Sequence, residues 1–281
     1  MSKQWLGVDL GGTNVRVGAV REGEVIRLEK QRIAGLKRED QVLDAIIDQI
    51  ARHDLASVAG IGVGVPGTVD SDGVVHDVQN LPGWDRVELA RILSERFSLP
   101  VRVENDTNCF ALGEYHHGEG KPYRSMIALN IGTGVAGGIL VNGELYRGHN
   151  GGAGEFGTVA YRDSMMEHYC GGLFFLKQYD TDGGELADRA INGDSDAQEA
   201  FRIYGHHLGR CLQMILYAWD PEAIFLGGSV SHSWDLFHEE LEAELANFSY
   251  QEVIRNLTLK VSRTEHVAVL GAAALIEYPP A

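Results

Sequence analysis

Residues 6–26, LGVDLGGTNVRVGAVREGEVI, are echoed by residues 127–146, IALNIGTGVAGGILVNGELY. Each copy reads as an apolar strand that closes on a polar residue, Asp9 or Asn130. A Gly/Thr turn follows, then an apolar strand containing glycine, a Gly-Glu hairpin and a further strand. A repeat this long, occurring once, predicts a duplicated domain rather than a solenoid. Chance likeness between two glycine-rich hairpins is the competing explanation.

The segments between the copies alternate helix and strand. Val42, Leu43, Ile46, Ile47 and Ile50 recur at helical spacing behind Glu39 and Asp40, which predicts a helix over 39–52. VAGIGVGVPG reads as a buried strand, RVELARILSERF as an amphipathic helix, LPVRVEN as a strand, and DTNCFALGEYHHG as a helix opening at Asp106. In the second half, helices are expected over 171–180, 185–192 and 195–218. The strand EAIFLGGSV, the helix SWDLFHEELEAELANF, the strand LTLKVSRT and the closing helix VAVLGAAALIEY complete the chain. This is an α/β pattern, and 281 residues suit two ordinary domains or one large one.

Composition narrows the partners. Forty acidic against 24 basic residues give a net charge of −16, which repels phosphate backbones. The longest basic cluster, Lys37-Arg38, is followed at once by Glu39-Asp40, so nucleic acid is not an expected partner. Cys109, Cys170 and Cys211 are scattered and match no pairing motif, which fits free thiols in a reducing cytosol. The first strand begins by residue 5, with no signal peptide and no apolar run of membrane length, so the expected location is cytoplasmic.

DLGGTN is neither a Walker loop nor a dinucleotide fingerprint. A Gly-Gly-Thr tip between strands still suits an oxyanion. Gly11 and Gly12 put no side chain in the way of their N–H groups, Thr13 adds a hydroxyl, and Asp9 is placed to hold a hydrated Mg²⁺. One such tip reads simply as a hairpin; two in duplicated halves carry more weight. Gly132, Thr133 and Gly134 form the second. LGGS at 226–229, with Gly227 and Gly228 after an apolar strand, offers an approach suited to a nucleoside.

The pieces GVDLGGTNVRVGAV, GIGVGVPGTVD, NLPGW, VENDTNCFALGE, NIGTGVAGGILVNGELYRG, GGAGEFG and DPEAIFLGGSV occur in one order along nearly the whole chain. Together they resemble ROK-family sugar kinases of the sugar kinase, heat-shock and actin superfamily. The resemblance is to the glucokinase-like branch that lacks the zinc motif. It implies a two-domain actin-like ATPase (ribonuclease H-like) fold with duplicated mixed sheets flanked by helices. The smaller domain would take residues 1–117 and 267–281 and the larger 118–266, with the active site in the cleft between them. The resemblance also implies ATP with Mg²⁺, a hexose substrate and a homodimer.

Residue by residue, the resemblance makes Asp106 the base that takes the proton from the sugar's 6-hydroxyl. Read alone, an Asp at a helix start is an N-cap. Asn105 is expected to bond a neighbouring hydroxyl, Asn80 to reach the sugar, and Gly67 to let backbone approach the ring. Glu155 matches the family's sugar-contacting Glu, and Thr133 should face the transferring phosphate. Trp84 reads as packing, and His76, His116, His117, His206 and His207 as surface or helix-face residues.

The stretch GAGEFGTVAYRDSMMEHYCGG departs from the family. Thr158 stands where the family has a His. If Cys170-Gly171 matches the central pair of the Cys-x-Cys-Gly-x-x-Gly-Cys-x-Glu zinc segment, then His168, Phe175 and Lys177 replace Cys, Cys and a sugar-contacting Glu. A structural zinc site needs four closed ligands, so no metal is expected here. Glu167 is the candidate for the vacant sugar contact, against its reading as a solvated helix-start Glu. Phe174, Phe175 and Leu176 are expected to fix the loop by apolar packing instead of a metal.

The expected activity is ATP-dependent phosphorylation of a hexose, first glucose. The same chemistry on N-acetylmannosamine, N-acetylglucosamine, fructose or a β-glucoside is the nearest alternative. A sugar-sensing ROK repressor would carry an N-terminal helix-turn-helix, which this early first strand disfavours. A non-catalytic sugar-binding module is disfavoured by Asp106.

Overall fold

The computed structural model describes residues 3–76, 78 and 81–279. The chain divides into two compact units. The first comprises Met1–Pro122, Gly138–Ala153 and Arg263–Ala281, the second Tyr123–Gly137 and Gly154–Ser262.

In the first unit, β1 (Gln4–Leu10), β2 (Asn14–Arg21) and β3 (Glu24–Arg32) form an antiparallel meander. Helix α1 (Glu39–Ala51) carries the chain to β4 (Val58–Val65), which lies parallel to β1. The short strands β5 (Thr68–Val69), β6 (Val75–His76) and β7 (Arg86–Val87) make a small antiparallel sheet before α2 (Leu89–Phe97). Strand β8 (Val101–Asn105) pairs parallel with β4 and runs directly into α3 (Asp106–His117). The sheet order is β3-β2-β1-β4-β8.

Strand β4 is buried along nearly its whole length, as a strand covered on both faces requires. On one face Val42, Ile46 and Ile50 of α1 and Leu89 and Leu93 of α2 join Leu6, Val8, Leu10 and Val63 in one core. On the other, the closing helix Val267–Glu277 approaches so closely that strand side chains must vanish. A methyl added at Gly7 would lie 1.9 Å from the Val269 carbonyl oxygen, and one at Gly62 1.7 Å from that of Ala272.

The second sheet has the order β11-β10-β9-β14-β15. Its strands are β9 (Met126–Ile131), β10 (Val135–Val141), β11 (Glu144–Leu145), β14 (Ala223–Gly227) and β15 (Thr258–Val261), with β14 parallel to both β9 and β15. The hairpin of β12 (Ala160–Tyr161) and β13 (Ser164–Met165) precedes the short α4 (Glu167–Cys170). Helices α5 (Leu173–Tyr179), α6 (Gly183–Ile191), α7 (Ser195–Trp219), α8 (Trp234–Leu245) and α9 (Gln251–Asn256) follow. Asp194 caps α7 by accepting from Asp196 N and Ala197 N at 3.0 and 3.2 Å. Phe201, Tyr204, Leu208, Cys211, Leu212 and Ile215 form its buried stripe.

The helix expected over 171–180 begins later than predicted and follows a separate turn. Gly171 is extended (φ −105°, ψ 178°), and Gly172 N donates to Gly132 O at 2.7 Å, which diverts the backbone from a continuous helix. No helix among the described residues is long and apolar enough to cross a membrane.

Candidate functional site

The first duplicated tip, Gly11-Gly12-Thr13, joins β1 to β2 and is closed by Gly11 N donating to Asn14 O at 2.9 Å. Asp9 and Arg16 face each other across this antiparallel pair, and the Arg16 Nη1–Asp9 Oδ2 distance is 3.0 Å. Burial pushes the Asp9 carboxyl above its ordinary range, against the Arg16 guanidinium, which pulls it down. A dication beside Asp9 would favour the charged form in the same way as Arg16 does.

Asp106 is the first residue of α3, and the cap is its neighbour. Asn105 Oδ1 accepts from Thr107 N at 2.9 Å and from Asn108 N at 3.1 Å. Its Nδ2 donates to Gly67 O at 3.0 Å. The capping duty is therefore carried by Asn105, with Asp106 Oδ1 accepting from Thr107 N as well, at 2.8 Å. A carboxylate at this end of a helix is favoured by the helix dipole. Gly67 has φ +94°, and a methyl there would meet His76 O at 2.8 Å. Asn80 lies outside the described residues.

Glu104, just before this cap, was not singled out by sequence reasoning. It is 2% exposed. Its Oε1 accepts from Asn105 N at 2.8 Å and from Asn108 Nδ2 at 3.0 Å, and Arg147 Nε lies 2.5 Å from its Oε2. The signal available was an acidic residue directly before the Asn-Asp helix start, in the strand VRVEN.

The second tip, Gly132-Thr133-Gly134, joins β9 to β10 in the second unit. The start of α5 holds it, through Gly172 N to Gly132 O and Leu173 N to Thr133 O at 3.2 Å. Gly227 ends β14 opposite Asn130. Gly228 has φ +88°, and a methyl on it would lie 2.4 Å from Asn130 Oδ1 and 2.6 Å from the Ile131 carbonyl carbon. Ser231 holds the turn by donating from N and Oγ to Gly228 O, at 3.2 and 2.7 Å.

Beside this tip a cavity of about 710 Å³ opens within the second unit. Gly132 and Thr133 line it together with Phe175, Ala187, Ile191 and Val230. Asp182, Asp188, Asp235 and His232 also border it, so the lining is mixed; that size, with an apolar wall on one side and backbone amides of a glycine turn on another, suits a nucleoside phosphate. The walls from α6 and from 230–236 were not predicted, because apolar spacing on a helix does not tell a core face from a cavity wall.

Glu167 lies in a groove made by two glycines of the same unit. Its Oε2 would be 2.4 Å from a methyl at Gly134 and 3.2 Å from one at Gly157. Glu155 keeps part of its side chain in solvent, yet lost hydration pushes its carboxyl up, and repulsion from Glu167 adds to the push.

His168 and Cys170 both have other partners. Ser164 Oγ lies 2.5 Å from His168 Nδ1, and Lys177 Nζ 2.8 Å from His168 Nε2. Cys170 Sγ donates to His207 O at 3.2 Å, while Tyr204 OH donates to Cys170 O at 2.6 Å. Among the described residues no three His, Cys, Asp or Glu gather to hold a metal. Phe174 and Phe175 are buried against Tyr204, but Leu176 is exposed at 54%, so its expected packing role is corrected: it borders the cavity. His207, expected as a surface or helix-face residue, lies on the inward face of α7. It is buried beneath Tyr161, whose hydroxyl lies 3.1 Å from its Nδ1, and burial lowers its pKa to about 4.

The ROK family profile matches residues 5–278. An N-acetyl-D-glucosamine kinase of Haemophilus influenzae is 29% identical, over 96% of this chain and 98% of its own. A β-glucoside kinase of Listeria monocytogenes is 32% identical, over 88% and 89%. The crystal structure of a ROK family glucokinase from Streptomyces griseus, in complex with glucose and AMPPNP, superposes with a TM-score of 0.81 at 27% identity, covering 97% of this chain and 98% of that one. With its mixed sheets flanked by helices, the chain shares the actin-like ATPase fold of such proteins, and it belongs to the ROK family.

Proposed function

We propose that this protein transfers the γ-phosphoryl group of ATP to the 6-hydroxyl of a hexose, glucose first, with Asp106 as general base. The observation that carries the reading is the division of labour at the start of α3: Asn105 supplies the cap, and Asp106 stands at the positive end of the helix. Asp106 takes the hydroxyl proton as the sugar oxygen attacks the γ-phosphorus, and the bond to the ADP oxygen breaks. Asn105, with one amide N–H committed to Gly67 O, offers its other to a neighbouring hydroxyl. Gly67 is assigned to the same sugar, and Glu155 and Glu167 are assigned as acceptors from its hydroxyls.

ATP is assigned to the cavity of the second unit. Its base and ribose would lie toward Gly227, Gly228 and the apolar wall, and its phosphates toward Gly132, Thr133 and Gly134. Gly11, Gly12 and Thr13 offer further donors to phosphate oxygens. Mg²⁺, held by Asp9 through water, would neutralise charge on the transferring phosphate. The kinase names of the relatives, which differ in the sugar, support this chemistry and keep N-acetylhexosamines and β-glucosides as the second reading.

A coupled ADP-release assay with ATP tests this over glucose, mannose, fructose, N-acetylglucosamine, N-acetylmannosamine and cellobiose. Glucose is expected to give the highest kcat/KM. Turnover confined to another sugar would move the assignment to that sugar, and no turnover with any would leave a binding module.

Two side-chain predictions follow from the geometry. Gly228→Ala forces a methyl onto backbone at a positive φ, so KM for ATP is expected to rise about tenfold or more, a lost interaction of roughly 1.4 kcal/mol. An unchanged KM would place the nucleotide elsewhere. Glu155, with its pKa raised, holds its proton to higher pH than an ordinary Glu. Protonation turns one of the two acceptor oxygens into a donor and weakens the other, so KM for the sugar should climb as pH falls through that raised value. Glu167→Gln removes the repelling charge, lowers the Glu155 pKa and moves this climb to lower pH. A KM–pH curve that stays in place in the variant would separate Glu167 from the sugar site.

A further inference from the structure

Glu104 sits one residue before the cap of α3, in the interior of the first unit. Taking a carboxylate out of water costs several kcal/mol unless its oxygens are met. Here both are. Oε1 receives the backbone N–H of Asn105 and the Asn108 side chain, and Oε2 receives Arg147. Arg147 follows β11 at the entrance of a glycine-rich segment, and its own carbonyl accepts from Ala153 N at 3.1 Å. One buried carboxylate thus ties the end of β8, the first turn of α3 and the loop 147–153 together.

The tie is also electrostatic. The Cys109 thiol, one turn into α3, is pushed up first by burial and then by Glu104, Asp106 and Asp9, while Arg147 pulls it down. The charge of Arg147 is therefore felt at the same place as that of Asp106.

We propose that the Glu104–Arg147 pair is a positioning device for Asp106, and that Arg147 serves turnover rather than sugar affinity. The inference rests on the reading of Asp106 as the base. Arg147 fixes Glu104, and Glu104 fixes the amide of Asn105 and the first turn from which Asp106 projects. A misplacement of about 1 Å at a reacting group costs on the order of a hundredfold in rate. Removal of the guanidinium also favours the protonated base, so the acid limb of kcat should move to higher pH.

The test compares Arg147→Ala, Arg147→Lys and Asp106→Asn in the full chain, with whichever of glucose, N-acetylglucosamine and cellobiose the wild type turns over fastest. In Arg147→Ala, kcat is expected to fall about 10- to 100-fold, with the acid limb displaced upward and the calorimetric Kd for the sugar within about threefold of wild type. Arg147→Lys keeps the charge and should restore the limb and most of kcat. If Arg147→Ala does not fold, Glu104→Gln combined with Arg147→Ala removes the unpaired buried charge, and the same loss of kcat is expected from the missing tie.

The proposal is overturned if kcat stays within about twofold of wild type, or if Arg147→Ala loses kcat without moving the limb, as a general loss of structure would do. Asp106→Asn separates the base assignment from the positioning role. Turnover by that variant would sink the base assignment, whereas an inactive Asp106→Asn beside fully active Arg147 variants would sink only the positioning role.

Discussion

Asp106→Asn is expected to reduce kcat by about a thousandfold while leaving sugar affinity nearly unchanged, the middle of the range for loss of a general base. The amide has nearly the shape of the carboxylate and can still accept from Thr107 N, the bond Asp106 Oδ1 makes at 2.8 Å. The start of α3 should therefore stay in place, because its cap belongs to Asn105. What the amide cannot do is accept a proton from the attacking hydroxyl. The measurement is steady-state ADP release beside isothermal titration with the sugar. A kcat within about tenfold of wild type would show that the proton leaves by another route. A Kd that rises in step with the loss of kcat would instead make Asp106 a binding residue. Asn105→Ala should behave differently, losing stability by about 1 kcal/mol through the uncapped helix.

The parts of the molecule legible in the sequence were those fixed by local rules. The two glycine tips stood out because turns between strands demand particular residues, and both lie where the duplicated segments put them. Helix α1 followed from its apolar spacing and acidic first turn, and α7 from its long periodic stripe. The capping of α3 was half legible: a helix start was visible, but whether Asn105 or Asp106 closes it depends on backbone angles that spacing does not report.

What stayed hidden was set by packing. Ile191 and Ala187 form an amphipathic pattern whether they face a core or a cavity. His207 was left open between surface and helix face because a doublet with His206 gives no sign of which side faces inward, and only Tyr161 and Tyr169 closing over it settle that. The Glu104–Arg147 pair joins residues far apart in the chain, so no local pattern announces it.

The closing helix gives the second large effect, and it concerns the fold rather than the chemistry. Its VLGAAAL run reads in sequence as a plain apolar helix, yet its small residues let backbones touch. A methyl on Gly271 would lie 1.6 Å from the Cys109 carbonyl oxygen and 2.7 Å from Gly113 N, and one on Gly113 would lie 2.1 Å from Val267 O. Helix α3 and the closing helix therefore cross at distances only glycine permits.

Gly271→Ala isolates this effect. In a free helix the change would gain about 1 kcal/mol of propensity. Here the methyl meets main chain on a neighbouring helix, which cannot swing aside as a side chain can, and forced overpacking costs about 1–3 kcal/mol or more. The clash is nearly head-on, so the cost should exceed the gain and the net loss should be about 2 kcal/mol or more. The urea midpoint should fall accordingly, and kcat should fall with it, because Asp106 opens α3 one turn before the Cys109 carbonyl that the methyl would meet. Gly152→Ala serves as the contrast: its methyl would meet nothing within 4 Å, so the midpoint should not move. A Gly271→Ala protein as stable as wild type would mean that the two helices can part without loss, and the rigid seating of α3 on the closing helix would have to be abandoned.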